Sequence, residues 1–335
     1  MKLPSRIRLT FYLLAFVGAA IFTLLLIHEG APQIIRAFTA AGWAILAVVL
    51  YHFCVPIFLD ALAWWVLFPR NERPRLRQTF WMRWIGESVS TLVPSAAVGG
   101  DIVRARLAAI HGAPVAIAAG TVLVDLTLGV FTQAAFTLLG VVLLVQATGQ
   151  SNIVKPTIIG TLVGVAAVGG FYFVQRLGMF GFIAKIIGKL ANSPEWQSLV
   201  QTGETFDATV RSLYARRRAL VACCAWTILS LILNSGEIWI ALRALNLNTT
   251  IMNAVILQST VLTVRNVAFA VPSGLGVQEG GYVFIGSLLG IPGDSAFVLS
   301  LIARVRELAI GIPGLVTWQV IEGRRLLRER AEPVA

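Results

Sequence analysis

In the stretch Val93-Pro94-Ser95-Ala96-Ala97-Val98-Gly99-Gly100-Asp101, the opening Val93-Pro94-Ser95 and the closing Asp101, with Gly112 and Pro114 beyond, return later in the chain as Val271-Pro272-Ser273, Glu279, Gly290 and Pro292. Every match has one offset, 178 residues, as from Pro94 to Pro272, and the pairs Val89/Val267 and Ala118/Ala296 keep it. A chance tripeptide does not carry its neighbours along in fixed register. Two equivalent segments broken by Pro and Gly and carrying carboxylates, in a chain this apolar, form the pattern of a transporter with internal repeats.

The composition makes the bilayer the solvent. The chain has 335 residues, 57% hydrophobic and 13% charged, and its mean hydropathy of +0.80 exceeds what a soluble core requires. The net charge of +11 could mark a nucleic-acid binder, but Lys and Arg fall in short clusters between apolar runs and read as topology signals, so no nucleic-acid partner is expected. Cys54, Cys223 and Cys224 lie in apolar runs without CxxC spacing, which argues against a disulfide framework or a zinc site. Lys2, Arg6 and Arg8 precede the apolar stretch from Phe11 to Ile27, as in a signal peptide. His28-Glu29-Gly30 offers no small-residue cleavage site, so an uncleaved first span is expected.

Apolar windows of about 20 residues predict full spans near 10–28, 43–68, 115–146, 153–175, 219–244 and 296–319, with two shorter regions at 79–112 and 252–291. Arg70, Arg73, Arg75, Arg77 and Arg83 precede the first short region and Arg104 and Arg106 lie within its end, which puts both ends on the cytoplasmic side. The segments flanking the second, Asn246 to Thr250 and Ile291 to Ser295, contain no Lys or Arg, which puts both its ends outside. With the basic residues of the 176–217 loop and the Arg324 to Arg330 tail, about 21 of 27 basic residues are then cytoplasmic, as are both termini, in a bacterial inner membrane. The expected fold is an all-α polytopic membrane protein, one domain over 1–335. Two inverted repeats, about 43–146 and 219–319, each hold a Pro/Gly-broken re-entrant hairpin. The alternative is a bundle of eight complete spans in which the prolines only kink helices. Trp196, Leu199, Val200, Phe206, Val210 and Leu213, interleaved with Glu195, Glu204, Asp207 and Arg211, predict an amphipathic cytoplasmic helix in the 176–217 loop.

Two signatures bring a family into view. Glu87-Ser88-Val89-Ser90-Thr91-Leu92-Val93-Pro94 with Val98-Gly99-Gly100-Asp101-Ile102-Val103-Arg104-Ala105-Arg106-Leu107 resembles the membrane region of lysylphosphatidylglycerol synthase/flippase proteins. Pro272-Ser273-Gly274-Leu275-Gly276-Val277-Gln278-Glu279-Gly280-Gly281 is similar to that superfamily's second signature. The form of the first resembles most the branch associated with hopanoid biosynthesis. The resemblance covers about 79–319 and implies lipid handling, with a membrane lipid as substrate, flipping as the usual activity, and lipid- or hopanoid-biosynthesis enzymes as partners. Lysyl-transferring members carry a large soluble synthase domain, whereas this chain runs only about 16 residues past its last predicted span.

A charge at the centre of a bilayer helix costs about 2.5–3.5 kcal/mol even on lenient scales, so each intramembrane charge needs a partner or water. Glu87 lies on the entering arm of the first hairpin and Asp101 and Arg104 on its leaving arm; in the second, Arg265 enters and Glu279 leaves. Folding at the Pro94 and Pro272 tips would bring Glu87 to Arg104 and Arg265 to Glu279, as structural ion pairs or as substrate contacts. Gly99, Gly100 and Gly276 would expose backbone N–H groups to an anionic headgroup, or serve only close helix packing. Asp101 and Glu279 place negative charge beside those same amides, which leaves a neutral polyol or a cationic headgroup as the alternative. Arg304 and Glu307 share a helical face in the last span, with Asp125 as a candidate partner for Arg304. These residues form the candidate substrate site. Glu237 lies in the fifth span, and His28, His52 and His111 read as isolated. No GxxxxGK[ST], HExxH, GxSxG or metal-ligand spacing is present, so no cofactor or metal is expected. A lipid-modifying enzyme using Glu87, Asp101 and Arg104, or a scaffold for lipid-synthesis enzymes, remains the alternative to a carrier.

Overall fold

The computed structural model describes residues 42–93, 98–149, 194–267 and 276–331, together with 39, 169, 170 and 173. The expected spans at 10–28 and, apart from three positions, 153–175 lie outside them, as do Pro94 and Pro272. Among the described residues the chain is helical throughout, without strands. The helices are α1 (Ala44–Cys54), α2 (Pro56–Trp65), α3 (Leu76–Leu92), α4 (Val98–Ile110), α5 (Val115–Thr148), α6 (Pro194–Ala215), α7 (Arg217–Ala244), α8 (Ile251–Val267), α9 (Val277–Leu288) and α10 (Gly293–Ala331).

Among the described residues, three stretches are long and apolar enough to cross a bilayer: Ala44–Trp65, which is α1 and α2 in succession, Val115–Thr148 and Arg217–Ala244. The first is divided at Pro56, whose ring supplies no N–H to the helical ladder. α3, α4, α8 and α9 have 17, 13, 17 and 12 residues, shorter than the roughly 20 a full crossing takes. α10 has 39 residues and covers the expected span 296–319, with Arg304, Arg306 and Glu307 in its course.

The sequence repeat has a local structural counterpart. α4 and α9 are followed by the same turn, with Gly112 at φ 96° and Gly290 at φ 73°, a conformation that glycine adopts without a Cβ penalty. In the first turn the Ala113 N–H donates to the Ala108 carbonyl at 3.1 Å, in the second Ile291 donates to Gly286 at 2.9 Å, and each pairing bridges five residues. Pro114 and Pro292 then open the next helix, their carbonyls accepting from Ala118 and Ala296 at 2.9 Å each. All these positions differ by 178.

The chain divides into two compact units, one of residues 1–55, 83–103 and 234–335, the other of 56–82 and 104–233. In the first, α9 packs against both α8 and α10, and α10 packs against α1. Trp84 Nε1 donates to the Ile310 carbonyl at 3.1 Å, and a Cβ on Gly314 would collide with the Ser88 side chain, so α3 and α10 lie in close contact. A Cβ on Gly100 would strike the Gly86 carbonyl oxygen and Ser90 Oγ, so the two arms α3 and α4 meet almost backbone to backbone.

In the second unit α5 packs against α2 and α6. The expected amphipathic helix is α6, and its Val210, Leu213 and Tyr214 are buried, with Leu213 reaching Gly120 of α5. Arg216 donates to the Leu67 and Phe68 carbonyls at 2.5 and 3.2 Å, and Arg73 donates to Phe68 at 3.2 Å. Two guanidiniums thus satisfy carbonyls just beyond the C-terminal end of α2, the negative end of its dipole. Burial, then the adjacent Arg216 and Arg70 charges, lowers the Arg73 pKa from the ordinary arginine value.

Candidate functional site: a buried charge chain

Eight polar and charged side chains described in the first unit form one connected chain. Glu87 on α3 meets His52 Nε2 on α1 at 3.0 Å, and His52 Nδ1 meets Glu237 on α7 at 3.0 Å. Arg306 on α10 donates to both Glu237 oxygens, at 2.8 and 2.9 Å, and stands 3.5 Å from Glu307. Glu307 then holds Arg265 of α8 at 2.5 Å and Arg304 at 3.2 Å, and Arg304 Nε donates to Glu279 of α9 at 2.9 Å. Eight side chains from six helices take part. Glu279 is fully buried and the others range up to 31% exposed at Glu87, so the mutual pairing replaces the water that these groups would otherwise require.

A cavity of about 70 Å³ opens beside this chain, lined by His52, Glu87, Arg265, Arg306 and Glu307, with Ser88 and Thr91 among its other walls. That volume holds a few water molecules and is too small for the body of a lipid. Charged groups facing such a volume have hydration within reach inside a membrane-spanning domain.

The candidate residues are placed as follows. Arg265 pairs with Glu307, and Glu279 pairs with Arg304, so the expected Arg265–Glu279 contact across the hairpin arms is replaced by two contacts to α10. The expected pairs Glu87–Arg104 and Asp125–Arg304 give way to other partners. Glu87 takes His52, whereas Arg104 in the second unit holds Asp125 at 2.8 Å, with its guanidinium 5.1 Å from the Trp64 ring centroid. Cys223 Sγ stands 4.0 Å from the other Asp125 oxygen. Arg304 and Glu307 make the expected contact at three residues' separation. Asp101, with Gly99 and Gly100, lies in the first turn of α4, where Gly100 supports close packing against α3. Gly276 precedes α9 at φ 76°.

His52, Glu237 and Arg306 were not in the candidate site. His52 reads as isolated in the sequence, yet it joins Glu87 to Glu237 and Arg306. Its signal was its place in the apolar run from Ala44 to Trp65, where an imidazole needs polar partners, although nothing nearby in the sequence supplies them. Arg306 was visible as one of three charges within the four residues Arg304 to Glu307.

A chain that is helical among its described residues, with three bilayer-length apolar stretches there and a network of opposite charges among them, is an integral membrane protein. It belongs to the lysylphosphatidylglycerol synthase TM region family, whose model matches residues 11–314. This membership points to a lipid-related function in the membrane. No curated protein and no solved structure matches the chain.

Proposed function

We propose that this protein moves a lipid, a hopanoid or a phospholipid, between the leaflets of a bacterial inner membrane. In this reading the regions 43–146 and 219–319 are inverted repeats, both termini are cytoplasmic, and α3/α4 and α8/α9 are re-entrant hairpins. The observation that carries it is the chain from Glu87 to Glu279 beside a polar cavity. A scaffold has no use for a chain of eight polar and charged groups, five of them buried, among membrane helices, whereas a carrier uses such groups to bind and release what crosses. The matching turns at Gly112 and Gly290 support two equivalent units, and the short paired helices support hairpins.

The test is exchange of headgroup-labelled phosphatidylglycerol and of a labelled hopanoid between leaflets of vesicles containing the purified protein. Protein-dependent exchange that is lost in Glu307→Gln is the expected result; no exchange of either lipid would overturn the reading. A second reading rests on His52, which is held by two carboxylates beside the cavity, as a general base would be. A lipid-modifying enzyme would change the mass of an incubated lipid, whereas a carrier leaves it unaltered.

A further inference from the structure

His52 Nδ1 lies 3.0 Å from Glu237 Oε2 and 2.8 Å from Arg306 Nη1. A protonated ring nitrogen donates to a carboxylate; an unprotonated one accepts from a guanidinium. One nitrogen cannot do both. The same three atoms therefore support two hydrogen-bond sets that differ by a single proton.

In the imidazolium set, Nδ1–H donates to Glu237 and Nε2–H donates to Glu87, while Arg306 Nη1 donates to Glu237 Oε1 at 2.8 Å. In the neutral set, Nε2–H still donates to Glu87, Nδ1 accepts from Arg306 Nη1, and the second hydrogen of Nη1 still serves Glu237 Oε1. Each of the three groups keeps a partner in both states, although in the neutral set Glu237 Oε2 gives up the Nδ1–H donor and relies on the Nη1 hydrogens shared with Oε1 and Nδ1. His52 also lines the cavity, which is large enough for water to deliver or remove the proton.

The surroundings favour two accessible states. Within the connected chain four carboxylates, Glu87, Glu237, Glu279 and Glu307, face three guanidiniums, Arg265, Arg304 and Arg306, and an imidazolium at His52 balances them. Against it stand Arg306 itself and Arg83, one turn before Glu87 on α3. Tyr51 is the neighbouring residue on α1, and Tyr282 of α9 faces the Glu237 and Arg306 charges. Arg306 pointing into the triad also disfavours a divalent cation there.

We infer that His52 is a proton-binding site, and that loading and unloading it is coupled to passage of the lipid. The coupling half rests on the transport reading above. Mechanically, loss of the proton turns Nδ1 into an acceptor for Arg306, which adjoins Glu307 and through it Arg265 and Arg304. The proton is thus felt on α8, α9 and α10.

The experiment uses full-length protein in lipid nanodiscs with His28→Asn and His111→Asn, so that His52 is the one histidine left. Ring-nitrogen NMR on labelled histidine should show two protonated nitrogens at low pH and a proton on Nε2 alone at high pH. One unchanging protonation state throughout the pH range in which the protein stays folded would overturn the proton site. The second arm imposes a gradient of about one pH unit on vesicles carrying labelled phosphatidylglycerol. One proton per lipid shifts the steady-state leaflet ratio of the wild type by up to about tenfold, and the shift should reverse with the sign of the gradient. Exchange by the wild type that ignores the gradient would overturn coupling and leave transport standing. Absence of exchange with any lipid would overturn transport and coupling together, with the titration still deciding the proton site.

Discussion

Two ion pairs occupy comparable places and have opposite polarity. After the first Pro/Gly segment, Arg104 on α4 holds Asp125 on α5, 21 residues on; after the second, Glu279 on α9 holds Arg304 on α10, 25 residues on. Each ties a short helix to the long helix that follows it, with the cation first in one case and the anion first in the other. The surroundings differ. Arg104 and Asp125 are nearly buried and the guanidinium faces the Trp64 ring. Arg304 shares Glu307 with Arg265 and Arg306, and Glu307 borders the cavity. The same tie acts as a structural clasp in one place and as the end of a branched network in the other. What distinguishes them is α10, whose three charges within four residues link α1, α7, α8 and α9.

The largest expected effect comes from cutting the branched network. Arg306→Ala leaves Glu237 buried beside His52 without its guanidinium, and unfolding free energy in nanodiscs should fall by about 3–5 kcal/mol. Glu237→Gln added to it should restore part of that loss; strictly additive damage would mean that the two do not interact.

Smaller effects should separate the two pairs of short helices. Gly100→Ala puts a methyl group against the Gly86 carbonyl and should cost about 1–3 kcal/mol in thermal unfolding. Gly281→Ala meets Val261 and Val264 at an ordinary 3.7 Å and should be neutral or stabilising by up to about 1 kcal/mol. Equal costs at both would show that the arms are packed alike.

The smallest effect should come from replacing the clasp outright. Arg104→Met with Asp125→Leu exchanges a buried ion pair for apolar groups of similar size and should keep stability within about 1 kcal/mol or raise it. A large loss would mean that the clasp, like the network, has partners that depend on its charge.

Much of the segmentation could be read in the sequence. The 178-residue offset marked the Gly112 and Gly290 turns, and the short apolar regions became the paired helices α3/α4 and α8/α9. Contact between Arg304 and Glu307 followed from helical spacing alone. Partner choice between helices did not, because it depends on how each helix is rotated about its axis. Arg265 and Glu279 sit on neighbouring arms, yet both turn toward α10. At 3.6 residues per turn Arg306 points about 200° away from Arg304, so α10 offers charge to α9 on one side and to α1 and α7 on another. His52 stayed hidden for the same reason, since its carboxylates come from helices 35 and 185 residues away.

Pro56 stands four residues after His52, where a helix would normally send an amide back to the histidine's own carbonyl. That rung of the ladder is missing by covalent structure. His52 therefore sits in the last turn of α1 with the usual helical donor to its carbonyl removed by the proline, so the backbone that carries the imidazole is held by one rung fewer than the rest of its helix.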